Sequence, residues 1–167
     1  MFMKIYLAGG GGLSINMKIY LAGEHEVKNG SLANWQGLNI LESFVYCENN
    51  KYFKNLIYDD KLDLLLDSGA FTFMSGNGGK VNWDEYVNRY CEFIKGYKIG
   101  RFFELDIDVV TGLKHVERLR KIIEQKTGIQ PIPVWHKSRG LDYWKGMVKD
   151  YKYVAIGGIV TKEIKRT

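Results

Sequence analysis

Five short apolar runs in this 167-residue chain lead into residues that could do chemistry. The run Lys18–Ala22 is followed by Glu24 and His25, Leu62–Leu66 by Asp67-Ser68-Gly69, Ile132–Trp135 by His136, and Tyr153–Ile156 by Gly157-Gly158. The run Arg101–Ile107 carries its acidic residues within it and just after it: strand alternation in "FFELDIDVV" puts Glu104, Asp106 and Asp108 on one face and Phe103, Leu105 and Ile107 on the other. Three carboxylates on one face repel if buried alone, so they must meet water, a cation, a metal or a hydrogen-bonding ligand. A divalent ion held with His25 and His136 is one answer, though no tight pairing of histidines marks such a site. A carboxylate pair that reads a polar heterocycle is the other.

The elements that must position these residues alternate. Between the strand-like runs lie stretches of helical period: Leu38–Leu56, "WDEYVNRYCEFIKGY" with Asn82 or Asp84 as its cap, "LKHVERLRKIIEQKTG" with Gly128 as its stop, and the shorter "LDYWKGMVKDY". Such a β-α-β-α series predicts parallel strands joined by helical crossovers. Continuous apolar runs such as "LDLLL" and "YVAIG" suit strands buried on both faces, as in a doubly wound sheet or a (β/α)8 barrel. In both architectures the ligand site gathers at the carboxyl ends of the strands, where Asp67, Asp106, Asp108, His136 and the glycine pair are expected. Turn and cap chemistry also puts Asp, Ser and Gly at such places, so the combination matters more than any single residue.

Composition sets wider bounds. With 46% hydrophobic residues and 2 Pro the chain can bury one sizeable core, and one domain is expected. A net charge of +5 is spread without a long basic run, which permits a polyanionic partner without requiring one. Lys137 and Arg139 in "HKSRG" stand beside the expected rim, where a phosphate backbone would pass. No apolar stretch approaches a membrane span, and a cytoplasmic protein with no membrane contact is expected. Cys47 and Cys91 fall in expected helices, Ser43–Asn50 and Asp84–Lys95, as buried free thiols. Trp83 and Trp144 fit helix starts or amphipathic faces and are expected in the core. "MKIYLAG" occurs twice, at Met3–Gly9 and Met17–Gly23, and only one copy can fill a given slot in a sheet. The second runs into the rest of the chain, so residues 17–167 are read as the body and 1–16 as a duplicated or extraneous segment, or an added edge strand.

Taken in order and spacing, "LLLDSGAF", "FFELDID", "PVWH" and "YVAIGGI" resemble the tRNA-guanine transglycosylase (queuine tRNA-ribosyltransferase) superfamily, with most likeness to its phage and DNA-modifying 7-deazaguanine branch. The resemblance covers about Met17 to Thr161, and D-S-G-[AG]-F is its most specific element. It implies an α/β fold of parallel (β/α) units, a partial TIM-type barrel of about five strands. It also implies exchange of guanine for a 7-deazaguanine base in DNA or tRNA, without a cofactor. By this likeness Asp67 assists proton transfer at the exchanging base, Ser68 and Gly69 shape its floor, and Asp106 accepts from the purine-like edge. Asp108 is grouped with it as a substrate-binding carboxylate on the same strand face. Gly157 and Gly158 would let backbone approach the heterocycle's carbonyl, where a side chain would block it. His136 stands where the transfer-RNA enzymes tend to carry glutamine.

A glycosidic bond breaks through an oxocarbenium-like state, which calls for one carboxylate at C1′ and another group for the leaving base's proton. Asp67 suits the second role. In the family the nucleophilic aspartate lies beyond a strand this sequence does not reach, and the zinc-binding Cys/His cluster of the transfer-RNA branch is missing. The resemblance therefore implies the front portion of a longer, phage-encoded enzyme acting in the host cytoplasm, completed by a partner chain or a homo-oligomer. Two other readings stand beside it: a metal-dependent TIM-barrel hydrolase using Asp67, Asp106, Asp108 and the histidines, and a non-catalytic remnant that binds base or nucleic acid.

Overall fold

A computed structural model describes residues 2–4, 19–22, 39–50, 63–74 and 81–158. Four strands, β1 (Phe2–Lys4), β2 (Ile19–Ala22), β3 (Asn39–Ser43) and β4 (Asp63–Asp67), form one sheet in sequence order. β2, β3 and β4 run parallel, with Leu21 opposite Ile40 and Ile40 opposite Leu64. β1 lies antiparallel on the outer edge of β2, with Met3 opposite Tyr20 and Lys4 opposite Ile19, so the described residues of the first copy form an edge strand on the second.

β3 corrects the sequence expectation, which put a helix across Leu38–Leu56. Asn39–Ser43 is a strand with Ile40, Leu41 and Glu42 buried, and helix starts only at α1 (Phe44–Cys47). The spacing of apolar residues there fits either structure over so short a run. Ladder bonds to strands on both sides decide it.

Beyond β4 the parallel pairing continues through isolated bridges. Leu66 pairs with Phe102 and Phe103 with Ile132, and then β5 (Val134–Trp135) pairs with β6 (Ala155–Ile156). Bonds such as Phe103 N–H to Leu66 O (3.0 Å) and Gly157 N–H to Trp135 O (2.8 Å) carry it. The segment expected as a strand over Arg101–Ile107 is regular only at Phe102–Phe103. From β2 to β6 the order thus follows the chain.

Helices fill the crossovers: α2 (Phe71–Met74), α3 (Trp83–Gly96), α4 (Asp108–Thr111), α5 (Leu113–Thr127) and α6 (Leu141–Asp150), with a 3-10 turn at Lys137–Arg139. α3 starts where Asn82 Oδ1 accepts from Glu85 N–H (3.2 Å), and α5 ends at Gly128, as their cap residues predict. α3 buries Tyr86, Val87, Tyr90, Cys91 and Ile94, and α5 buries Val116, Leu119 and Ile123, against Phe44, Leu66, Phe102, Leu105 and Ile107. Each such large side chain contributes about 1.5–3 kcal/mol by leaving water. Trp83 is buried as expected, both cysteines are buried and free, and Trp144 packs edge-on to Trp135.

A second cluster holds Tyr20, Leu41, Leu65, Phe103, Ile132, Val134 and Ala155, drawn from every parallel strand. Beside it Arg101 Nη1 donates to Tyr20 Oη (3.0 Å) and pairs with Asp63, reaching across three strand spacings. No described helix is long and apolar enough to cross a membrane.

Candidate functional site

Asp67 ends β4, and the turn after it is built around its carboxylate. Gly69 N–H donates to Oδ2 (2.9 Å), and the buried Ser68 gives its carbonyl to Tyr86 Oη–H (2.6 Å), which ties the turn to α3. Gly69 has φ +72°, and a Cβ there would stand 2.4 Å from Val45 Cγ2 and 2.9 Å from Ser43 Oγ. Both the backbone angle and the space require glycine. Burial pushes the Asp67 carboxyl above its ordinary value; Gly69 N–H and the Ser43 hydroxyl pull the other way, and the charge of Asp106 adds to the rise.

The acidic segment is built differently from the expected strand. Phe103 joins the cluster of Leu65 and Val134, whereas Leu105 and Ile107 pack under α3 and α5, so the alternation that put all three on one face breaks after the Phe103 bridge. The backbone at 104–107 is irregular, and of the partners expected for the three carboxylates (water, a cation, a metal or a ligand) they meet a cation, one arginine side chain. Arg139 donates through Nε to Asp108 Oδ2 (2.8 Å), through Nη2 to Asp106 Oδ1 (3.0 Å) and through Nη1 to Glu104 Oε1 (3.1 Å) and the Val134 carbonyl. Its side chain is 2% exposed. This differs from the phosphate-facing place expected for Arg139: the carboxylates draw the guanidinium inward, and Lys137 is the cation of that turn left at the surface.

Glu104 is fully buried and anchors the group from below. Oε2 accepts from Arg120 Nε (2.5 Å), and Oε1 also accepts from Val134 N–H (2.8 Å). Burial pushes this carboxyl upward against the pull of both guanidiniums. With two charged donors and an amide aimed at its oxygens, Glu104 is held as the carboxylate. Arg120 is fixed in turn by Tyr151 Oη and Tyr143 Oη (both 3.2 Å).

Asp106 gives its second oxygen to His136, whose Nε2 lies 2.6 Å from Oδ2. The hydrogen bond to Asp106 raises the imidazole's pKa, burial opposes it, and the charges of Asp106 and Asp108 add to the rise. The ring occupies the space a side chain at 157 would take: a Cβ on Gly157 would stand 2.5 Å from His136 Cε1. At Gly157 the room is thus filled by the protein's own imidazole. Gly158 follows with φ +77°.

One ligand atom each from Asp106, Asp108 and His136 lie within 4.8 Å of one another, a donor set that could hold a cation. Arg139 already sits on both carboxylates and supplies the neutralising charge there. His25 and Glu24 lie outside the described residues, as does Trp35.

Ser43 and Arg120 belong to the site and were not foreseen. Ser43 ends the strand read as helix, opposite Asp67 in register. Arg120 carried a visible signal: it falls on the 116/119/120/123 buried stripe of α5, where a charge must have a partner. The chain was compared with known protein families, curated proteins and solved structures, and it matches none of them.

Proposed function

We propose that the chain forms the base-binding part of a transglycosylase-like site that exchanges guanine for a 7-deazaguanine base in DNA or tRNA. The reading rests on the motif resemblance and on one observation, that Asp67 and the acidic segment 104–108 follow directly on neighbouring parallel-paired residues, Leu66 and Phe102–Phe103, at the same end. Asp67, whose carboxyl burial pushes above its ordinary value, is the group that exchanges a proton with the departing base: as the C1′–N bond breaks, its electron pair stays on the ring nitrogen, which takes the proton, while C1′ passes to a nucleophilic carboxylate supplied by the completing chain. Asp106, charge-paired with Arg139 and His136, is an acceptor suited to ring N–H and amino groups. A partial TIM-type barrel is the matching architecture. One inner cluster that draws side chains from the first parallel strand to the last, Tyr20 to Ala155, favours a curled sheet.

Calorimetric titration of the chain with guanine, 7-deazaguanine and adenine tests the proposal. Guanine-type bases should bind and adenine should not, and Asp106→Ala should weaken binding by at least about tenfold, as loss of hydrogen bonds to a charged group does. Equal binding of adenine, or affinity unaltered in Asp106→Ala, would sink it.

The clustering of Asp106, Asp108 and His136 favours a second reading, a metal-dependent hydrolase. It requires stoichiometric divalent-ion binding in competition with Arg139. Manganese titration followed by electron paramagnetic resonance separates the two.

A further inference from the structure

Segment 104–108 brings three acidic side chains together, and a cluster of that charge must be neutralised by solvent, by a metal or by the protein itself. Arg139 does so from inside. Its planar fork spends Nε on Asp108, Nη2 on Asp106 and Nη1 on Glu104, and the Val134 carbonyl takes a further bond. Glu104 cannot drift to follow another partner, because Arg120, Val134 N–H and the two tyrosines behind Arg120 hold it. The clamp therefore has a fixed base, and what it fixes at its open end is Asp106. Asp106 in turn meets His136, whose ring is backed by Gly157.

We propose that Arg139 is the positioning residue of this site, a resident cation that sets the orientation of Asp106 and, through it, of His136 toward the ligand. A lysine would keep the charge and lose the fork, since an ammonium is a point charge on a flexible stem and cannot serve three carboxylates in one plane. What this positioning does for catalysis rests on the base-exchange reading. The positioning itself does not.

The test is nuclear magnetic resonance of the labelled full chain, following the imidazole proton between His136 and Asp106. That proton should resonate far downfield in the parent chain. Arg139→Ala should lose the signal, and tens of millimolar guanidinium should restore it by filling the vacated place, at concentrations too low to unfold the parent. Persistence of the signal at its parental shift in Arg139→Ala overturns the proposal, as does a loss that guanidinium fails to reverse in a folded variant. If Arg139→Ala does not fold, Arg139→Lys decides: a folded lysine variant should shift or lose the signal, and an unchanged signal overturns the proposal. In a parallel titration with guanine, Arg139→Lys should lose affinity by about tenfold or more, the scale expected when hydrogen bonds to a charged acceptor are lost. A parent chain that shows the Arg139-dependent signal but binds no guanine removes the base-exchange reading alone.

Discussion

The imidazole of His136 lies against the backbone of Gly157, so that a Cβ at 157 would stand 2.7 Å from the same Nε2 that meets Asp106. Neither atom can give way easily, because Val134 Cγ1 is 2.9 Å from the same point. Gly157→Ala should therefore push the ring away from Asp106. The expected cost is about 1–3 kcal/mol of stability, the usual range for overpacking. Loss of guanine binding should accompany it. Urea unfolding and calorimetry together check this, and a variant as stable as its parent would show that the ring has room to move.

Stability should depend on pH through His136. Its folded pKa is raised above the ordinary 6.5, chiefly by the hydrogen bond to Asp106. The folded state thus holds a proton more tightly than the unfolded chain does. This contribution is fully present below the unfolded value and fades as pH rises through the folded one. His136→Gln should flatten the stability profile over that window and remove the stabilisation that the parent shows below it. Denaturant midpoints measured in half-unit steps from pH 5.5 upward would reveal a slope that survives in His136→Gln if another group is responsible.

Asp67 titrates in the same sense for a different reason. Burial raises its pKa, so the ionised carboxylate is a cost to the fold above that value, and stability falls as pH climbs through the window. Asp67→Asn keeps an oxygen able to accept from Gly69 N–H and removes the buried charge. At neutral pH its thermal midpoint should equal or exceed that of the parent. In the enzyme completed by its partner chain, base exchange should fall by about 10²–10⁴-fold, as expected for loss of a general acid. Circular dichroism melts and incorporation of labelled guanine read the two effects separately, and retained exchange would remove Asp67 from the chemistry.

Arg120 offers the clearest stability test. Its side chain is 6% exposed and Glu104's is 0% exposed, so Arg120→Met leaves a buried carboxylate short of one partner. Breaking such a pair costs about 3–5 kcal/mol. At about 2–4 °C per kcal/mol for a chain of this size, the midpoint should drop by roughly 10 °C. Thermal melts check it, and a drop below a few degrees would mean Arg139 alone neutralises Glu104.

Much of the fold was legible because its signals are local. α3 and α5 announce themselves through a buried stripe of period near four, an Asn82 cap and a Gly128 stop, none of which needs a distant partner. The strand ends were legible for the same reason: an apolar run meeting Asp67, His136 or Gly157 marks where a buried strand surfaces. β3 was not, since five residues of "NILES" satisfy helix and strand alike until strands arrive on either side to take the backbone hydrogen bonds. Glu104 was read as one of three carboxylates sharing a strand face. The break in alternation beside it depends on the single bridge to Ile132, which alternation alone cannot reveal.

The sequence by itself determined the inventory: the two long helices α3 and α5, parallel strands beside them, and acidic, imidazole and glycine residues that follow the apolar runs. Only the tertiary structure decided which charge meets which. Arg139 lies 31 to 35 residues from its three carboxylates along the chain, and nothing in its neighbours says whether it faces a phosphate or turns inward. That choice follows from long-range electrostatics in a desolvated place. Once folding brings Glu104, Asp106 and Asp108 together, the cost of leaving them unpaired exceeds the cost of burying one guanidinium among them.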